Sequence, residues 1–183
     1  MEENHIDNEL YKHICDYSLE NITLSQLIGV AKKCVTDDIN SEYLLILAGL
    51  SEKFDTWDTI LKYYNLTLKE LKIKEPSRIE AAKYLANYYC KKLLNKEIAP
   101  EIFLNKIMDE VYYKGVYNYD KIICGDEIGL ENLIGLFYMI RHYNNHLDYG
   151  LNINFEKEKS KLYKECYKEA KNYLKLKCNR MYK

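Results

Sequence analysis

Apolar residues recur at three- and four-residue intervals along most of this chain, with polar residues between them, and that period predicts helices. Leu10, Ile14 and Tyr17 give a helix over 7–19. Thr23 and Gln26 form a capping box, with Leu24, Leu27, Ile28, Ala31 and Val35 on one face behind it. Ser41 opens a short run, Tyr43 to Ala48, that is apolar on every side, so it is expected as a central buried helix ending at Gly49. The segment 55–58 starts another, with Trp57, Ile60, Leu61 and Tyr64 as its inward stripe. Thr67 to Glu70 reads as a capping box for a short helix ending near Pro76. Ser77 to Glu80 caps a long one whose inward face holds Ile79, Ala82, Leu85, Ala86, Tyr89 and Leu93. A turn at 95–97 follows, then a helix with Pro100 at its first position, carried to Gly115 by Phe103, Leu104, Ile107, Met108 and Val111.

Residues 116–128 are the least regular; Lys121 to Cys124 there has the texture of one short strand, but a lone strand has nothing to pair with. Leu133, Ile134, Phe137 and Ile140 mark a helix from about Leu130 to Tyr143. After a polar connection, the last helix sets Phe155, Leu162, Tyr163, Cys166, Tyr167, Ala170, Tyr173 and Leu174 opposite its lysines. The expectation is an all-α protein, an irregular bundle of about eight helices with mostly antiparallel neighbours, forming one domain over residues 1–183.

Composition agrees with long helices. There are only 2 prolines and 7 glycines in 183 residues, too few for a many-stranded sandwich. The 19 tyrosines fall mostly at the edges of helical stripes. No run approaches the ~20 apolar residues that span a bilayer, and the polar, acidic start lacks the texture of a secretory leader, so the expected place is the cytoplasm. None of the six cysteines forms a C-x-x-C clip, and they read as small buried apolar residues.

Charge changes the picture more. Residues 1–60 hold 12 acids and 4 bases, while residues 156–183 hold 4 acids and 10 bases. An acidic front addresses a basic partner or the chain's own basic tail. Nucleic-acid binding by the last helix is not expected, because acids interleave with its bases.

Chemistry-bearing motifs are few. There is no phosphate loop, dinucleotide fingerprint, nucleophile elbow or calcium loop, so no cofactor is expected. His142 and His146 stand at i, i+4 with Asp148 nearby, but HExxH is absent because Tyr143 holds the glutamate position, and no metal site is assigned. The run Arg141-His142-Tyr143-Asn144-Asn145-His146 resembles the motif of the HEPN ribonucleases, helical proteins that usually work as dimers. That resemblance implies Arg141 and His146 as a catalytic pair. Histidine would move the proton of an RNA 2′-hydroxyl and arginine would steady the charge growing on the phosphate.

A second resemblance rests on Leu44-Leu45-Ile46-Leu47-Ala48-Gly49-Leu50, Glu80-Ala81-Ala82-Lys83-Tyr84-Leu85-Ala86, Ile98-Ala99-Pro100, and the Asp126-Glu127 loop before Leu136-Phe137-Tyr138. These runs are similar to a group of small helical bacterial proteins, some resembling immunity proteins that neutralise secreted toxins. The resemblance implies a non-catalytic protein-binding factor. Its acidic N-terminal third and the acids Asp120, Asp126, Glu127 and Glu131 would meet a basic toxin domain. The ribonuclease using Arg141 and His146 is the alternative.

Overall fold

The structure is a computed structural model that describes residues 8–37, 39, 41–116, 128–146 and 155–180. Among these residues the fold is all-α, with eight α-helices, one π-helical segment and no strand. The segment 121–124 lies outside the described residues. The chain divides into two compact units, Met1–Ala81 and Ala82–Lys183.

In the first unit, α1 (Asn8–Ser18), α2 (Leu24–Thr36), α3 (Glu42–Gly49) and α4 (Trp57–Glu70) pack each on the next. Leu10, Ile14, Leu24, Leu27, Ile28, Ala31, Leu44, Leu47, Ile60, Tyr64 and Leu68 form their common core. Each large aliphatic side chain so buried contributes about 1.5–3 kcal/mol. The Thr23 capping box forms as the sequence predicts: the Gln26 amide donates to Thr23 Oγ1 at 3.3 Å and the Thr23 amide to Gln26 Oε1 at 2.8 Å. Such a cap contributes about 1 kcal/mol.

Three expectations fail in this unit, each for a physical reason. The apolar run on α3 is not central, since Leu44 and Leu47 face inward while Leu45 is 62% exposed. An eight-residue helix packed on α2 and α4 still leaves one face open. Trp57 also faces solvent, because Thr56 is the N-cap and the first helical residue precedes the inward stripe that starts at Ile60. No separate helix starts at Thr67. That residue is buried late in α4, with its hydroxyl donating to the Tyr63 carbonyl at 2.8 Å. Glu70, read as half of a capping box, instead caps a different helix. It accepts from the Ser41 hydroxyl at 2.6 Å and from the Glu42 and Tyr43 amides at 3.1 Å, closing the start of α3 from 27 to 29 residues away. These bonds hold its carboxyl below the usual range, the Ser41 hydroxyl having the largest part.

α5 (Arg78–Leu94) opens on the predicted Ser77–Glu80 cap, with the Ser77 amide donating to Glu80 at 2.8 Å and the Glu80 amide to Ser77 Oγ at 3.3 Å. Ile79 is exposed rather than inward, as a first-turn residue beside that cap. α5 continues into the second unit, burying Leu85, Ala86, Tyr89, Cys90 and Leu93. The predicted turn follows, with Lys96 at φ 61° and the Glu97 amide reaching back to the Lys92 carbonyl at 2.9 Å. This closure normally uses glycine at the left-handed position.

Pro100 stands at the first position of α6 (Pro100–Lys106), as predicted. The regular helix expected up to Gly115 does not continue. At Ile107 the chain widens into a π-helical segment, Ile107–Val116, that keeps Ile107, Met108, Val111 and Tyr112 buried. The Tyr89 hydroxyl donates to Glu110, Lys106 Nζ reaches the same carboxylate at 2.7 Å, and Lys106 lies 5.2 Å from the Tyr89 ring centre. These contacts tie the π segment to α5.

A turn with Gly129 at φ 74° leads into α7 (Glu131–His146), and α8 (Phe155–Arg180) follows. α6, the π segment, α7 and α8 pack together, burying Leu133, Ile134, Leu136, Ile140, Cys166, Ala170 and Tyr173. Phe137, Leu162, Tyr163, Tyr167 and Leu174 are half-buried rather than fully inward. Among the described residues, no helix is long and apolar enough to cross a membrane.

Candidate functional site

In the first unit, an acidic stretch of sequence carries large exposed apolar side chains. The turn between α3 and α4 is closely bonded: the Ser51 amide donates to Asp55 Oδ2 at 2.8 Å, and the Asp55 and Phe54 amides return to the Ser51 carbonyl at 2.8 and 3.0 Å. Thr56 then caps α4, taking the Thr59 amide at 3.3 Å. With the backbone held this way, Phe54 is 81% and Trp57 59% exposed, three residues apart. Lys53 Nζ lies 5.2 Å from the Phe54 ring centre. Around them, residues 37–58 contain Asp37, Asp38, Glu42, Glu52, Asp55 and Asp58 against the single base Lys53. Aromatic side chains so exposed on an ordered turn are uncommon, and Trp is among the side chains that most often anchor interfaces.

The second unit holds a cleft of about 340 Å³ between α6 with its π segment and α7. Leu104, Phe137 and Ile140 give it an apolar floor, and Glu101, Asn105, Asp109 and Arg141 its polar walls. Glu101, Asn105 and Asp109 come from positions spaced by four. Glu101 is engaged elsewhere, accepting from the Tyr163 hydroxyl at 3.0 Å and lying 3.5 Å from Lys159 Nζ. Burial raises the Tyr163 pKa, and the bond with Tyr163 raises that of Lys159. Close to Arg141, the Tyr113 and Tyr138 hydroxyls share a hydrogen bond at 3.1 Å. That bond first, and burial second, push the Tyr113 phenol up to about 12, against the opposing pull of the Arg141 charge.

The residues singled out from the sequence separate. Arg141 lies on α7 and lines the cleft, and His142 beside it is exposed. His146 is the last residue of α7, and its side chain lies outside the described residues. Asp120, Asp126 and Glu127 also lie outside them, while Glu131 is exposed in the first turn of α7. The pairing of Arg141 with His146 and the grouping of the four acids both involve side chains outside the described residues. Among the described residues, no three His, Cys, Asp or Glu side chains are grouped to hold a metal ion.

Sequence reasoning missed both features described above. Helical spacing puts Trp57 on the inward stripe, but Thr56 caps α4 and leaves Trp57 at its first position. The acids flanking Phe54 and Trp57 are the signal the sequence offers. Glu101, Asn105 and Asp109 were one polar stripe beside a predicted apolar face, a pattern that any solvated helix also shows. Comparison of the chain with protein-family models, with curated proteins and with solved structures gives no match.

Proposed function

We propose that the protein is a non-catalytic binding factor whose acidic N-terminal unit recognises a basic protein, in the manner of an immunity or antitoxin factor that occludes a toxin. The observation that carries this reading is the pair Phe54 and Trp57, held out on a bonded turn within a strongly acidic stretch. Exposed aromatics supply buried area at an interface, and surrounding acids steer a basic partner and exclude acidic ones. The acids Glu131, Asp120, Asp126 and Glu127 belong to the same proposal as further contacts for that partner.

The ribonuclease reading draws support from Arg141, which faces a cleft. It is the weaker of the two, because Glu101 and Asp109 face that cleft as well and a carboxylate repels the phosphate of RNA.

Affinity capture of the tagged protein from cells that make it naturally, at moderate salt, tests the proposal. The expected result is one stoichiometric basic protein, held by the wild type and lost from Trp57→Ala and from Asp58→Lys. Retention of the same protein by both variants rejects the proposed face.

A further inference from the structure

We propose that the cleft of the second unit binds a small dipolar molecule with one carboxylate, one ammonium and a short apolar frame, such as a free hydrophobic α-amino acid. The cleft offers opposite charges on facing elements, Asp109 from the π segment and Arg141 from α7. Among the described residues no ion pair within 4.0 Å joins Asp109 to Arg141 or engages either with another side chain. Glu101 is already matched by Lys159 and Tyr163, which leaves Asp109 as the carboxylate available to a ligand.

A purely anionic ligand meets Asp109 unfavourably, and a purely cationic one meets Arg141. A dipolar ligand satisfies both, with charge-assisted hydrogen bonds at each end. Leu104, Phe137 and Ile140 floor the space between and suit an apolar side chain. The volume of about 340 Å³ falls in the range of small-molecule sites. The π segment adds a second reason, since such wide turns are frequent at functional sites and this one carries Asp109.

The test is an amide-resolved NMR titration of the full chain with L-leucine, with N-acetyl-L-leucine (carboxylate only) and with L-leucinamide (ammonium only). L-Leucine should shift resonances of the cleft residues and bind at least about tenfold more tightly than either single-charge analogue, the size of one charge-assisted bond. Arg141→Gln and Asp109→Asn should each weaken L-leucine by a similar factor. Equal affinity for the three ligands, no response to L-leucine up to its solubility limit, or L-leucine binding unchanged in both variants would overturn the proposal. The three-ligand comparison on the wild type decides the matter even if a variant fails to fold. Its outcome is independent of partner capture through Trp57, which involves the other unit.

Discussion

The two units of this chain are built from the same material and present opposite faces to their surroundings. Residues 1–81 hold 15 acids and 9 bases, and residues 82–183 hold 13 acids and 18 bases. The acidic unit places Phe54, Trp57 and Leu45 outward, and its core encloses an apolar cavity of about 20 Å³ lined by residues such as Leu10, Ile14 and Leu44. The basic unit buries its large aromatic Phe103, leaves Ile102, Tyr113, Tyr138 and Met139 about half exposed, and opens a cleft with charged residues in its lining. Exposed aromatics in an acidic stretch suit a macromolecule, and a charged cleft suits a small ligand. One all-helical architecture thus offers two kinds of surface, and the difference comes from where each helix begins and how it turns.

The sharpest way to break that comparison is to truncate one phenylalanine in each unit. Phe103→Ala should cost about 3–5 kcal/mol in denaturant unfolding, as expected for a buried aromatic. Phe54→Ala should stay within about 0.5 kcal/mol of wild type, as for an ordinary surface change. A large loss from Phe54→Ala would mean that this ring supports the fold rather than a partner.

Thiol chemistry sharpens the comparison further. Burial pushes Cys15 in the first unit, and Cys90 and Cys166 in the second, up to about 12. All three should resist alkylation at neutral pH in the native protein and label fully on unfolding, as followed by site-resolved mass spectrometry. Labelling across a denaturant series also tests cooperativity. Simultaneous onset at the three sites is expected of a single transition, and earlier onset at Cys15 would show the acidic unit opening first.

The smallest effect concerns Glu70 and pH. Its carboxyl is held below its usual value of 4.5 by the Ser41 hydroxyl and the two α3 amides. The stabilisation it gives is therefore fully present above that usual value and is lost as pH falls through the lowered one. Glu70→Gln should be less stable than wild type at neutral pH, with the gap closing in acid. A gap independent of pH would remove the charged cap from the account.

Much of this fold was legible from periodicity and capping chemistry. The Thr23 and Ser77 boxes, Pro100 and the turn at Lys96 are local signals, and local signals survive folding. What stayed hidden was non-local. Glu70 caps α3 through residues 27–29 positions away, which no window of sequence reveals. The π register at Ile107 has no residue of its own to announce it. Leu45 faces solvent because an eight-residue helix packed on α2 and α4 leaves one face open, and Trp57 because it stands first in α4, ahead of the inward stripe. The cleft was half visible: Arg141 stood out, but its opposite wall, Asp109, read as ordinary surface charge.

The central claim, that the Phe54–Trp57 face is where a basic partner sits, has a direct probe because Trp57 is the only tryptophan in the chain. Labelled with 5-fluorotryptophan, the protein gives one fluorine resonance, and its response to solvent isotope exchange reports exposure. On titration with the basic protein captured from the native host, the account predicts that this resonance shifts and loses its sensitivity to D₂O as the complex forms. Complex formation with the resonance unmoved and still solvent-exposed would contradict it.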